Sequence, residues 1–262
     1  GLSVVVANAN QLALITQSKR KTDRVDAELL ARLLRSDVSL LRPIEHRSEQ
    51  HQAHLELLRA RDAAVRSRTL QINHVRGALK AAGVRVPSCD AGAFHRIATD
   101  YLPTLLVPAL RPMVRSIKAL TTMIRRYDRD VDRLGKDVYP ETNLLREVVG
   151  VGPVTSLAYV LVIANPKRFR KSRLVGAYLG LVPGLSQSGE SNPQKRITKA
   201  GNAYLRRLLV QAAQYITGPF GPDCTLRRLG ARLTVNGGSR VAGCCPLWFP
   251  QRSCPMRKFS AS

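Results

Sequence analysis

Aromatic side chains are scarce in this sequence. Phe, Trp and Tyr make up 5% of its 262 residues, with a single Trp. That is too few to build the stacking platforms on which single-strand nucleic-acid binders depend. Acidic residues are scarce too: 18 Asp and Glu stand against 42 Lys and Arg, a formal charge of +24. Such a field draws polyanions, with nucleic acid as the first candidate partner and an anionic membrane surface as the runner-up. The five Cys show no metal-ligand spacing, and Cys244-Cys245 are adjacent rather than two apart. This excludes a disulfide scaffold and leads us to expect a reducing cytoplasm. The longest apolar run, around Ser156 to Ala164, is too short to span a bilayer, and the start carries no secretory leader pattern. His46, His51 and His54 are close in sequence, but no Cys accompanies them and 46 and 51 do not share a helix face, so no metal site is expected there. Hydrophobic content, at 44%, is ordinary for a globular chain, and the length suits two modest domains.

Two short apolar runs near the start, Ser3 to Val6 and Leu12 to Thr16, read as edge strands. A helix follows, capped by Thr22 or Asp23, with Val25, Leu29, Leu30, Leu33 and Leu34 on its apolar side. Asp23 and Asp26 are three residues apart and share a face. Two such carboxylates can hold a divalent cation, or can simply complement the positive end of the helix dipole. Farther on, Leu58, Val65, Ile72 and Leu79 repeat at seven. Met113, Ile117, Leu120, Ile124, Tyr127, Val131 and Leu134 alternate steps of four and three, which predicts a coiled-coil seam. Gly83 to Pro112, with Pro87, Pro103 and Pro108, interrupts the helix, so an antiparallel hairpin is the simplest arrangement. The arginines between Arg59 and Arg76 face either nucleic acid or solvent.

In Leu144 to Asn165 an apolar helix runs into Gly150-Val151-Gly152, and Pro153 opens the next helix. This reads as a helix-hairpin-helix whose glycine turn lets backbone N–H groups approach phosphate, or as a tight structural corner. The stretch Gly180 to Ala213 then combines an apolar entry and a loop rich in Gly, Pro and Ser. The cations Lys195, Arg196 and Lys199 follow, and then a helix beginning after Gly201-Asn202 that carries Arg206 and Arg207. Small hydroxyls framed by cations and a helix start suit a phosphate-handling site; a solvated, Ser-rich loop beside a basic surface helix is the plainer alternative.

The Gly-Leu-Val-Pro, Ser-Gly, Arg-Ile-Thr-Lys-x-Gly-Asn and Tyr-Leu-Arg-Arg-Leu-Leu blocks, in that order, resemble the C-terminal half of bacterial insertion-sequence transposases of the IS110 type, which join an acidic, RuvC-like half to a serine half. Lys-Thr-Asp-x-x-Asp-Ala is similar to the third and fourth acidic positions of the family's four-carboxylate site, so the resemblance makes Asp23 and Asp26 metal-binding catalytic residues with Mg2+ as cofactor. The first two acidic positions lie upstream in the family. Here 22 residues precede Asp23 and none is Asp or Glu, so a truncated copy is expected. The resemblance implies a serine nucleophile that links covalently to DNA. Ser188, which precedes Gly189, is the first candidate and Ser186 the second, with Ser191 also nearby. Lys195, Arg196, Lys199, Arg206 and Arg207 would hold phosphates, and Gly150 and Gly152 would contact DNA. It further implies a helical insert used for self-association into a homo-oligomer and, for some members, a structured guide RNA. A non-catalytic, basic nucleic-acid-binding remnant is the competing reading.

The expected fold is mainly α. It comprises a remnant of an α/β RuvC-like domain at 1–42, a helical coiled-coil insert at 43–140, a C-terminal serine domain at 141–240 with a helix-hairpin-helix-like element, and an atypical, disordered tail at 241–262. That tail holds three of the five Cys, the only Trp, and Pro246, Pro250 and Pro255, with no helical or strand period. A reading-frame change in the gene would explain it.

Overall fold

The computed structural model describes residues 4–7, 12, 22–41, 48–185, 195–219 and 221–237. Among these the chain is mainly α-helical, as expected. It divides into two compact units, Gly1–Glu49 and Gln50–Ser262.

In the first unit, helix α1 spans Asp23–Ser36. Thr22 caps it, its side chain accepting the Val25 N–H at 3.3 Å. Val4, Val5 and Val6 are exposed and form no strand; only Ala7 makes a single bridge. A β-branched run gains little without a partner ladder, and none of the described neighbours supplies one. The second expected strand lies, apart from Leu12, outside the described residues. Leu12 and Leu41 form a small buried cluster, with Ala7 and Leu33 against it.

The second unit is built on two long helices, α2 (Glu49–Ala81) and α4 (Val107–Asp137), with the short α3 (Phe94–Asp100) between them. They run antiparallel. Ile72, Val75 and Leu79 share a core with Leu110, Val114, Ile117 and Phe94, while Leu55 and Leu58 meet Val131 in a second core at the other end. On α2 three of the four positions of the sevenfold repeat are buried, Leu58, Ile72 and Leu79, whereas Val65 is half-buried and its neighbour Ala64 takes the buried place.

On α4 every second position of the seam moves by one residue, from Met113 to Val114, Leu120 to Thr121 and Leu134 to Gly135. The buried positions are Leu110, Val114, Ile117, Thr121, Ile124, Val131 and Gly135, so only Ile117, Ile124 and Val131 of the expected seven are fully buried. The spacing is still four and three, but small and polar residues occupy it. Thr121 satisfies itself on the Ile117 carbonyl at 2.8 Å, and the Gly135 carbonyl accepts the Thr142 hydroxyl at 2.8 Å. Half-buried Asp128 holds the remaining step through Arg61, at 2.6 Å. Hydrophobic periodicity alone misses positions whose polar groups are satisfied locally. Pro108 sits in the first turn of α4, and Pro112 is tolerated in the second.

The C-terminal helices complete this unit. They are α5 (Glu141–Arg146), α6 (Pro153–Ile163), α7 (Arg173–Tyr178), α8 (Ala203–Thr217) and α9 (Thr225–Gly237). Helix α6 is apolar on all sides and is surrounded by α4, α5 and α8. Its core is continuous with Leu55, Leu58 and Val131 at the base of the long pair. Tyr139 is gripped there by two histidines: His54 Nδ1 lies 2.8 Å from its hydroxyl, and His51 meets its ring edge-on. Burial, then the nearby His51, holds the His54 imidazole below its usual range. These two histidines thus pack the base of the pair, and His46 lies outside the described residues. No described helix is long and apolar enough to cross a membrane.

Candidate active site and nucleic-acid interface

The serine loop is closed at its base by a short antiparallel ladder. Pro183 and Ile197 form a bridge, flanked by Gly184 N–H to the Arg196 carbonyl at 3.0 Å and Thr198 N–H to the Val182 carbonyl at 2.9 Å. Ser186, Ser188 and Ser191, the expected nucleophile candidates, lie between the two arms and outside the described residues. The ladder places the residues entering and leaving that segment side by side. On the exit arm Lys195, Arg196 and Lys199 are all exposed.

Below the ladder the two arms cross at van der Waals contact. Lys199 N–H donates to the Gly180 carbonyl at 3.1 Å. Gly201, at φ +74°, lies so close to Tyr178 that a Cβ would overlap its carbonyl oxygen, and a Cβ on Gly180 would strike the Ala200 backbone. Only glycine accepts both the left-handed conformation and the close approach. Arg206 pins the crossing: its Nη1 donates to the Leu179 carbonyl at 3.0 Å and to the Ala200 carbonyl at 2.7 Å. Asn202 caps α8 by accepting the Leu205 N–H at 2.9 Å. Arg206 therefore carries a structural duty that sequence alone did not show.

Arg207 points elsewhere. Its Nη2 meets Asp62 of α2 at 2.5 Å, and its guanidinium lies 5.4 Å from the Tyr204 ring. The Tyr204 hydroxyl is buried without a hydrogen-bond partner; burial, and then Asp62, push its pKa up to about 12. On the other side of the crossing a second basic segment holds Lys167, Arg168, Arg170, Lys171 and Arg173, all exposed. Arg168 stacks over Tyr178 at 4.4 Å and Phe169 at 4.7 Å, which ties this segment to α7 and so to the base of the loop. The composition did not single this cluster out, although its five cations in seven residues are visible in the sequence.

The glycine turn between α5 and α6 is not uniformly open. A Cβ on Gly150 would lie 3.1 Å from both the Ala212 carbonyl and Ile216 Cγ1, so this glycine is needed for packing on α8. Gly152 is exposed, with open space where a Cβ would be. Of the two, Gly152 faces outward.

A family model described as Transposase IS116/IS110/IS902 family matches residues 142–222, and a second, for the DEDD transposase of IS110 elements, matches residues 1–83. The chain belongs to the IS110-type transposase family. It is 31% identical over 199 residues to the transposase for insertion sequence element IS1328 of Yersinia enterocolitica, covering 74% of this chain and 58% of that protein. It is 28% identical over 201 residues to the transposase for insertion sequence element IS1111A of Coxiella burnetii, covering 74% of this chain and 54% of that protein. A probable family 20 transposase of Pseudomonas aeruginosa is 27% identical over 202 residues, 75% of this chain and 59% of that protein. The chain thus spans little more than half the length of these relatives.

The first matched region contains Asp23 and Asp26. Both lie in the first turn of α1; Asp23 is exposed, and Asp26 is half-buried, with an Oδ1 that has no hydrogen-bond partner. That orphaned oxygen is suited to a cation. However, no group of three or more His, Cys, Asp or Glu able to hold a metal occurs among the described residues. Mg2+ demands near-octahedral oxygen coordination, and two carboxylates fall short of it. The described donors do not by themselves make the metal site that the resemblance implies.

Proposed function

We propose that this chain acts on DNA as an insertion-sequence transposase, with Ser188 as the nucleophile. The observation that carries this reading is the closed base of the serine loop. Its two arms are locked together by Gly180, Gly201 and Arg206, and exposed cations flank its exit. Arms held in this way fix where the segment carrying Ser188 begins and ends, beside exposed cations that suit a phosphodiester. The Ser188 Oγ attacks phosphorus and loses its proton. The P–O bond to one deoxyribose breaks, and that oxygen leaves as a hydroxyl after taking up a proton. A second strand's hydroxyl then attacks the seryl phosphodiester and restores the serine. One phosphodiester replaces another at each step, so no external energy source is required. Lys195, Arg196 and Lys199 offset charge on the phosphoryl oxygens as it builds. In this scheme Asp23 and Asp26 would be two of the ligands of a divalent cation, which would polarise the phosphodiester if further donors completed its shell, and a structured RNA made from the element's ends selects the target.

Strand joining on the element's ends tests this reading. Ser188→Ala is expected to abolish both the joined product and the covalent protein–DNA band on denaturing gels, whereas Ser186→Ala leaves them. Wild-type levels of covalent complex from Ser188→Ala would transfer the role to another hydroxyl. The competing reading, a basic remnant that binds without cutting, predicts duplex binding from the wild-type chain and no covalent band.

A further inference from the structure

The long helix α4 carries a feature that the serine chemistry does not use. Arg111, Arg115, Lys118, Arg125 and Arg129 are all exposed, and with Thr122 they follow steps of four, three, four, three and four. That spacing puts them in one row, immediately beside the buried seam. The row runs about 27 Å at a helical rise of 1.5 Å per residue. None of its five cations makes an ion pair among the described residues. The carboxylates of α4 closest in sequence are committed elsewhere: Asp128 to Arg61, Asp130 to Arg133, and Asp132 to Lys136 and Arg146. Asp90 lies near Arg125, but its Oδ2 accepts the Gly92 N–H at 2.6 Å.

Helix α3 adds to the row. Burial, followed by the charges of Arg96, Lys118 and Arg125, holds the His95 imidazole below its usual range, against the opposing pull of the Gly92 backbone. A titrating group on the neighbouring helix thus reports the positive potential of the row. Like charges three and four residues apart on a helix repel one another, by about 0.2–0.5 kcal/mol per pair. Five kept in line without carboxylates cost stability unless a polyanion offsets them.

We propose that this row is a second nucleic-acid surface, which grips the sugar–phosphate backbone of a duplex without reading its sequence. It rests on the reading that the chain acts on nucleic acid, and not on Ser188. The row also lies outside the two regions that the family models match, at 1–83 and 142–222. A 27 Å line parallel to a duplex axis spans about eight base-pair steps, at about 3.4 Å each, and so passes phosphates of the backbone on the near side. Regularly spaced charges on a rigid helix suit a duplex better than a flexible single strand. The row supplies no flat aromatic side chain for stacking.

The test uses the full chain and fluorescence anisotropy on a 25-base-pair DNA duplex and on an RNA duplex of the same length, across a series of salt concentrations. The five-site variant R111Q/R115Q/K118Q/R125Q/R129Q is compared with R59Q/R66Q, which removes two carboxylate-paired arginines of α2. The expected result is at least about a tenfold loss of duplex affinity at low salt in the five-site variant. The slope of log affinity against log salt becomes shallower by about 0.9 for each phosphate that is no longer neutralised. R59Q/R66Q keeps the wild-type slope. Whichever duplex shows the loss identifies the partner. An unchanged slope on both duplexes, with helicity and melting temperature preserved, would overturn the proposal, as would an equal loss in R59Q/R66Q. Binding to phosphatidylserine vesicles but to neither duplex would also overturn it, in favour of a membrane surface. Ser188→Ala is expected to bind like wild type while failing to join strands, so the failure of one reading is distinguishable from the failure of the other.

Discussion

The two long helices carry similar numbers of cations and use them in opposite ways. On α2, Arg61 meets Asp128 at 2.6 Å, Arg66 meets Asp62 at 3.1 Å and Arg59 meets Glu56 at 3.2 Å. Arg76 lies 4.9 Å from the Phe94 ring centroid and donates to the Val86 and Pro87 carbonyls at 3.3 Å. On α4, the row from Arg111 to Arg129 faces solvent without carboxylates. A count of basic residues therefore says little about field. What matters is where the few acidic residues fall: Glu56 and Asp62 lie on α2 itself, and Asp128 faces it from the base end of α4. Of the arginines that looked most available in sequence, the fold engages Arg59, Arg61, Arg66 and Arg76, while Arg68 has a buried Nε without a hydrogen-bond partner.

The largest effect is expected from breaking the seam that sets the two faces apart. Ile117 is fully buried in the distal core, against residues of α2 and α3. Ile117→Ala removes that packing and leaves a cavity worth about 2–4 kcal/mol. Urea unfolding should show the loss, and duplex affinity should fall with it as the row loses its rigid support. If stability falls but the salt slope does not change, the row does not depend on helical order.

A smaller effect is expected at Asp62. Its side chain is largely buried and serves both Arg66 and Arg207, linking α2 to α8. Asp62→Ala leaves Arg207 beside the Tyr204 ring with its charge unpaired, at a cost of about 1–2 kcal/mol. Thermal melting should show it. Spectrophotometric titration should also find the Tyr204 phenol below its pKa of about 12, since one of the two causes that raise it has gone. Removal of a cation from the α4 row should leave Tyr204 unchanged. Equal shifts from both changes would mean that the two faces share one electrostatic environment, and the contrast between them would fail.

The parts of this fold that depend on local chemistry were legible in the sequence. Pro153 in the first turn of α6, the Asn202 cap of α8 and the sevenfold repeat of α2 are each set by a neighbour within a turn or two. The parts that depend on distant partners were hidden. Alternate positions of the α4 seam moved by one residue where Asp128 and Gly135 are accommodated by Arg61 and Thr142, which are not adjacent in the chain. The first expected edge strand needed a partner that local pattern does not provide. At the candidate site, the four blocks of residues carried the family, but the roles of Arg206 and Gly150 came from carbonyls and methyls far along the chain. The α4 row was written in plain heptad steps, two residues before the expected seam. Attention to apolar periodicity passed over it, and the same period applied to Lys and Arg finds it.

The smallest effect is also the most direct test of the contrast, because it predicts a change of sign. Arg115 lies four residues from Arg111 and three from Lys118, so Arg115→Gln removes two like-charge pairs and should raise stability by about 0.4–1 kcal/mol at low salt. Arg61→Gln removes a cation whose Asp128 partner lies 2.6 Å away and should lower stability by a similar amount. Added salt screens both interactions. The gain from Arg115→Gln should therefore shrink as sodium chloride rises towards 1 M, and the loss from Arg61→Gln should shrink with it. Melting temperatures measured along that series converge on wild type from above for one variant and from below for the other. Convergence from the same side for both would show that Arg115 has an acidic partner in solution, and the row would then resemble the engaged arginines of α2.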